Sequence, residues 1–393
     1  MLASAFRALP WGDELAAEPR TLGYALYQQC KQSLQFLLGS LAPDYIQAYL
    51  KRATQSSRAR PVAKLDIRFA GHFLKKGTIR MRYLVTGGAG FIGSNIADEL
   101  VRRRQEVTVL DDLSAGKESN LESVRSKIRL HIGSITNLAT VQEACQGVDY
   151  VIHLAARTSV PKSVIDPLET NSVNIDGTLN VLLAARDAKV RRVVFAASSS
   201  AYGETPALPK TEGMRPEPIS PYGVTKYVGE LYGQVFGRVY GLENVSLRYF
   251  NVFGPRQDPS SQYSGVLSRF MLALIEGTPL TIYGDGGQSR DFTYVDNVVD
   301  ETLRACEAAG APGRVLNGGT GVRVTLNEVV SLLEKIVGGQ IAVQYEPARP
   351  GDIRDSQADI SLAKKILGYS PLVMFNEGLK RTWEWYRAAF GKG

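Results

Sequence analysis

Cysteine and histidine are scarce, with three of each in 393 residues. Cys30, Cys145 and Cys306 are odd in number, far apart and in no Cys-x-x-Cys arrangement. That excludes a disulfide framework or a thiolate zinc site and fits a reducing, cytoplasmic compartment. Histidines without ligand-like spacing leave no metal centre to expect. Long apolar runs are missing too: the longest candidate, near Phe36–Ala42, is short and interrupted, far below the ~20 residues that span a bilayer. Excess positive charge is absent from most of the chain. Residues 1–80 carry 12 Lys/Arg against 5 Asp/Glu, whereas the rest has 34 of each. The net charge of +7 therefore belongs to the leader, which holds no recognisable nucleic-acid motif. Neither a nucleic acid nor a membrane is expected as a partner.

The leader, residues 1–80, reads as a basic N-terminal extension. Tyr24–Leu50 could hold one or two short amphipathic helices, broken at Gly39 and Pro43, and Lys51–Lys76 reads as a basic linker. Three readings stay open: codons upstream of a true start at Met81, a loosely ordered appendage, or a targeting segment. The early acids Asp13, Glu14 and Glu18 disfavour the last.

What the chain does have begins at Met81–Ser94, MRYLVTGGAGFIGS. Tyr83–Thr86 is a short apolar run bounded by glycine and reads as a buried parallel strand. Gly87, Gly88, Gly90 and Gly93 follow, and then a helix. Strand, glycine turn and helix are the context a dinucleotide site requires: glycine lets a pyrophosphate approach backbone at a helix N-terminus. A second strand, Glu106–Leu110, ends in Asp111 and Asp112. Asp111 stands 18 residues past Gly93, close to the spacing of an acid on ribose hydroxyls. An acid there repels a 2′-phosphate, which favours NAD over NADP.

From Met81 the chain alternates strand and helix signals, which predicts an α/β fold with a Rossmann-type doubly wound parallel sheet. Strands are expected at 82–86, 106–110, 128–132, 149–154, 192–197 and 245–250. Helices are expected at about 91–103, 138–145, 171–187 and 221–240. After Tyr249 the pattern loosens, with helices near 264–276, 294–309, 325–336 and 360–367 and a strand near 279–283. Residues 81–250 thus read as the dinucleotide-binding domain and 251–393 as mainly a smaller substrate-binding lobe. His153 closes the fourth strand and reads as structural. Leu154, Ala155 and Ala156 follow, the alanines small enough for backbone to come close to a cofactor.

Ser198, Ser199 and Ser200 follow the apolar strand Val193–Ala197, where hydroxyls face the cleft. Ser220-Pro221 is a natural helix start, and Tyr222 and Lys226, at i and i+4, share one helix face. A nearby ammonium, together with a positive nicotinamide ring, favours phenolate over a phenol of pKa ~10, so Tyr222 reads as a base assisted by Lys226, which can also hold the nicotinamide ribose, with Ser198 bridging to a substrate oxygen.

At this point the chain resembles the extended short-chain dehydrogenase/reductase family, in particular its nucleotide-sugar 4-epimerases, from Met81 to about Arg387. The motifs are TGGAGFIG at 86–93, HLAA at 153–156, SSSAYG at 198–203, YGVTK at 222–226, RYFNVFGPRQDP at 248–259, GDGGQSRDFTYVDN at 284–297 and RPGD at 349–352. The resemblance implies NAD on Gly87, Gly90, Phe91, Ile92, Asp111, Asp112, Leu154, Ala155, Ala156, Asn174 and Phe250. It implies Tyr222 as base, with Lys226 and Ser198 assisting. It implies a UDP-sugar held by Ser198, Ser199, Tyr222, Asn251, Arg290, Arg349 and Asp352. Gly133-Ser134-Ile135 departs from the family's Gly-Asp-Ile; Ser134 would stand at the adenine in place of the acid, beside Ile135.

Dehydratases and decarboxylases of the family carry acids where Ser199 and Ser200 stand here. Their absence leaves epimerisation through a transient 4-keto sugar, or simple oxidoreduction. Ser356, the fourth position after Asp352, matches a residue that gates the sugar pocket; a small residue there implies UDP-GlcNAc/UDP-GalNAc as well as UDP-Glc/UDP-Gal. UDP-glucuronate 4-epimerisation, another nucleotide-sugar oxidoreduction, and a non-catalytic NAD-binding regulator are the alternatives. The resemblance also implies a homodimer pairing helices near 171–187 and 221–240.

Overall fold

The sheet is built on Arg82–Thr86 (β1), whose successive side chains serve two cores. Tyr83 and Val85 enter one buried cluster and Leu84 the other, as a strand covered on both faces requires. The computed structural model describes residues 80–259, 265–348 and 354–391, which fall in one unit, Ile79–Gly393. The helices and linker expected in the leader lie outside the described residues.

Six further strands join β1 in parallel: Glu106–Asp111 (β2), Ile128–Ile132 (β3), Tyr150–His153 (β4), Arg192–Ser198 (β5), Glu243–Tyr249 (β6) and Val315–Gly318 (β7). Their order across the seven-stranded sheet is β7-β6-β5-β4-β1-β2-β3. The chain winds outward from β1 through β2 and β3, then returns to lay β4 on the other side. That reversal opens a crevice beyond the strand ends, where ligands bind in such sheets. Phe91–Arg102 (α1) follows β1 directly, and Pro221–Tyr240 (α2) packs across β5 and β6. The Ser220 hydroxyl caps α2 by accepting from Gly223 N–H at 3.1 Å, and Gly241, at φ 71°, closes it in the left-handed conformation.

Two of the elements not expected from the sequence bear on the site. β7 is a four-residue run followed by glycine, too short to show a period; pairing of Leu316 with Leu247 of β6 makes it a strand. It also places part of 251–393 inside the main sheet. The C-terminal helix Phe375–Phe390 (α3) buries Phe375, Leu379 and Tyr386 against the larger core. No helix among the described residues is long and apolar enough to cross a membrane.

Glu301, on the helix Val295–Glu307, is fully buried, and neither carboxylate oxygen has a hydrogen-bond partner among the described residues. Burial first, then the nearby Asp300, Glu212 and Asp291, hold its pKa well above the ordinary carboxylate range. The fold therefore takes Glu301 protonated, whereas the unfolded chain ionises near ~4.3. The penalty is absent at low pH and grows as pH rises toward the folded-state pKa. Glu301→Leu should raise stability at pH 8 by about 1–3 kcal/mol, and by less at pH 5. Denaturant melts at the two pH values check this; a variant no more stable than the parent at pH 8 would contradict it.

Candidate active site

The glycine turn after β1 is built for close approach. Gly87 sits at φ 69°, and a Cβ there would lie 2.7 Å from Ala155 N. A Cβ on Gly93 would lie 2.3 Å from the Gly87 carbonyl oxygen. Helix α1 starts at Gly90 without a side-chain cap, so its first turn is open to an anion. This turn forms one end of a cavity of about 980 Å³ that runs to Ser198 and Tyr222. Asp111 lines it, 6 % exposed, and its carboxylate accepts from Ala89 N–H at 2.9 Å and Leu113 N–H at 2.8 Å. Burial raises its pKa against the pull of those bonds. A carboxylate has about four acceptor sites, so two remain for ribose hydroxyls. An elongated groove with an uncapped helix start at one end and this acid alongside fits a dinucleotide.

Of the residues expected around NAD, Gly87, Gly90, Phe91, Ile92, Asp111, Asp112, Ile135, Leu154, Ala155, Ala156, Tyr222 and Lys226 line this cavity. Three do not. The Ser134 hydroxyl turns into its own loop, 2.9 Å from Thr136 Oγ1 and accepting from Thr136 N–H. Phe250 is buried in the core beside the Tyr202 ring, between Tyr249 and Asn251, which do line the cavity. Asn174 lies behind the wall. Its amide accepts from Arg157 N–H at 2.7 Å and donates to Arg157 C=O and to Thr225 Oγ1, each at 3.0 Å. A one-turn π-helix, Ser172–Asp176, aims it there.

His153 is structural. Its ring nitrogens lie 2.7 Å from Thr86 Oγ1 and 3.0 Å from Thr178 Oγ1, joining β1, β4 and the following helix. Burial, and then the Lys226 charge, push its pKa down to about 3, so it stays neutral.

Tyr222, Lys226 and Ser198 line the same cavity as the glycine turn and Asp111. Lys226 Nζ donates to Ala196 C=O at 2.8 Å and lies 5.9 Å from the centre of the Tyr222 ring. Ser198 Oγ donates to Ser200 Oγ at 3.0 Å and accepts from Ser200 N–H at 3.1 Å. The electrostatics differ from the expectation that Lys226 lowers the phenol. Burial raises the Tyr222 pKa, and the hydrogen bond with Ser198 is what draws it back. Burial also pushes Lys226 down to about 8, which still leaves it mostly an ammonium at neutral pH.

A second cavity, of about 230 Å³, adjoins the first and shares Asn251, Val252, Gln257 and Gly265 with it. Arg290 and Arg269 bring cations to it, with Tyr283 and Phe292 as aromatic walls. Arg290 Nη1 donates to the carbonyls of Ser289 and Arg354, both at 2.9 Å. Arg349 and Asp352 lie outside the described residues. Ser356 is buried, its N–H donating to Ser289 C=O at 3.1 Å beside Arg290, and its side chain lines neither cavity. Asp291, not singled out from sequence, holds this region together. Its buried carboxylate accepts from Thr320 N–H and Oγ1, Gly321 N–H and Ala358 N–H. Trp385 and Phe390 of α3 also line the large cavity; only the aromatic clustering of that helix could have hinted at them.

Residues 83–319 match the NAD dependent epimerase/dehydratase family. The chain is 39% identical over 315 residues to a UDP-glucose 4-epimerase of Mycolicibacterium smegmatis, covering 78% of this chain and 99% of that protein. Among solved structures, it resembles the UDP-N-acetylglucosamine 4-epimerase of Methanobrevibacter ruminantium, in complex with UDP-N-acetylmuramic acid, at 38% identity and TM-score 0.76, covering 80% and 100% of the two chains. It also resembles the NAD complex of Thermus thermophilus UDP-glucose 4-epimerase, at 38% identity and TM-score 0.73, covering 79% and 100%.

Tyr222→Phe removes one oxygen from the cavity and no packing surface. Turnover should fall ~10²–10⁴-fold, the range for loss of a positioned acid–base group, with bound NAD and Tm unchanged. Turnover within threefold of the parent would remove Tyr222 as the proton carrier.

Proposed function

The chain belongs to the NAD dependent epimerase/dehydratase family and is an NAD-dependent nucleotide-sugar epimerase; from that premise we propose that it inverts C4 of UDP-sugars. The observation that carries this reading is that Tyr222, Lys226 and Ser198 line one cavity together with the glycine turn and Asp111, and that positions 199 and 200 beside them are serines. Without an acid there, nothing on this serine turn can protonate a leaving hydroxyl or assist a decarboxylation.

Tyr222 takes the proton of the C4 hydroxyl at its phenol oxygen and returns it after inversion. Ser198 holds the sugar oxygen by hydrogen bonding. NAD, when bound, supplies a hydride acceptor at C4 and a positive ring whose field favours the phenolate. The nucleotide sits in the smaller cavity, with Arg290 and Asn251 toward the diphosphate. Guanidinium suits that role as a planar donor of several N–H groups. Arg349 and Asp352 are assigned to the diphosphate and uridine ribose by resemblance alone. Fastened by its nucleotide, the 4-keto sugar can turn about the diphosphate link and present its other face.

We infer further that acetamido sugars are accepted together with hexoses. The support is the match of Ser356, small and four residues past Asp352, to the gating position of the resembling family; its backbone is fixed beside Arg290, although its side chain lines neither cavity. Ser356→Tyr should reduce UDP-GlcNAc turnover at least ~10-fold, on the scale of a steric specificity change, while sparing UDP-Glc. Product chromatography with each UDP-sugar checks this. Equal loss of both activities, or no loss of the acetamido one, would remove the gate, and a UDP-glucuronate product would favour the alternative epimerase.

A homodimer is the assembly this surface supports. Val224, Leu231, Val235 and Val239 form an exposed apolar stripe along α2, flanked by Val164, Ile165 and Leu168 of two short preceding helices. The exposure expected on 171–187 falls instead on those short helices, because Val181, Leu182 and Ala185 face the core. Leu231→Glu should shift the particle from dimer to monomer in light scattering; a monomeric parent protein would contradict the assignment.

A further inference from the structure

The tetrapeptide Pro255–Asp258 runs between the two cavities, and each residue is tied to a wall of the larger one. Pro255 C=O accepts from Asn95 of α1 at 3.4 Å, and the Arg256 guanidinium pairs with Asp98 of the same helix. Gln257 C=O accepts from the Tyr386 hydroxyl of α3. Tyr386 in turn contacts the rings of Trp385 and Phe390, at 5.0 and 5.6 Å between centres, and these line the groove. Asp258 pairs with Lys117 at 2.9 Å, on the loop after the ribose acid. Arg256 holds φ at 71°, a left-handed conformation rare outside glycine, which the pair with Asp98 helps to hold. Gln257 lines both cavities, and Arg256 and Asp258 line the larger.

We propose that Pro255–Asp258 is a clasp through which a nucleoside diphosphate in the smaller cavity slows escape of the dinucleotide from the larger one. The inference rests on the assignment of NAD to the larger cavity. The loop at Lys117, helix α1 and the aromatic wall of α3 all line the larger cavity, and the clasp joins all three. A nucleotide against Gln257 and Asn251 immobilises the clasp and so keeps these walls together. In affinities the coupling is reciprocal: by whatever factor the nucleotide tightens NAD binding, bound NAD tightens nucleotide binding. Lys117 and Asp258 are partly exposed, at 54 % and 36 %, so their pair is the weaker, salt-sensitive tie. Arg256 and Asp98, at 20 % and 29 %, form the stronger one.

The experiment follows NAD remaining on the full chain after rapid gel filtration, against time, with and without saturating UDP. UDP should slow NAD loss at least ~5-fold in the parent, the low end of ordinary site-to-site coupling. Lys117→Gln and Asp258→Asn should each speed loss by up to ~5-fold, the range of an exposed pair, and shrink the UDP effect, at unchanged Tm. The charge-swapped Lys117→Asp/Asp258→Lys protein should recover part of the retention, which a merely structural role would not produce. NAD that binds but leaves at a rate indifferent to UDP and to these variants overturns the clasp alone. A protein that takes up no NAD overturns the assignment of the larger cavity and the clasp with it.

Discussion

One buried amide sets the geometry on which the site depends. Asn174 bonds the Arg157 backbone on both its N–H and its C=O, and reaches Thr225 on the catalytic helix. Thr225 in turn bonds the carbonyl of Tyr222 at 2.8 Å. The segment after β4 that floors the cofactor groove and the helix that carries the phenol are therefore held in one register. Asn174 is 2 % exposed and its bond to Thr225 is buried, where loss of a partner costs about 1–3 kcal/mol; the two bonds to Arg157 are part-buried. It touches no ligand cavity itself, yet it fixes where two cavity walls meet.

The electrostatics of the site follow from the same burial. Tyr222 is held above its ordinary value and Lys226 below its own. The phenol is thus kept neutral, while a lysine at about 8 is still mostly an ammonium at neutral pH, 5.9 Å from the phenol ring. In the proposed reaction a positive ring in the dinucleotide groove would add to the Lys226 charge, which links the acid–base step to occupancy of that groove. That link suits a reaction in which the proton leaves the C4 hydroxyl oxygen as the hydride leaves C4.

What could be read from the residues is what is local in the chain. The glycine turn, the acid at the end of β2 and the i, i+4 pair of Tyr222 and Lys226 each sit within one strand–turn–helix or one helical turn, and the structure puts them on one cavity. Ser134 and Asn174 were legible as positions but not as contacts. Ser134 spends its hydroxyl on its own turn, and Asn174 works through backbone 17 residues away. β7, the four-donor cradle of Asp291 and the clasp at Pro255–Asp258 join residues tens to more than a hundred positions apart. Such pairings impose no period on either segment, so only the folded chain reveals them. The leader and the Arg349–Asp352 motif were legible as composition and pattern, and lie outside the described residues.

The central claim is that C4 is inverted by removing a hydride and returning the same one, with the protein's own NAD. The most direct test supplies UDP-glucose and UDP-GlcNAc carrying deuterium at C4 to the purified chain with no NAD added, and analyses the products by mass and NMR. The account predicts C4-epimeric UDP-sugars that keep the deuterium at C4. Epimers that have exchanged it for solvent hydrogen, or a requirement for NAD at every turnover, would contradict it.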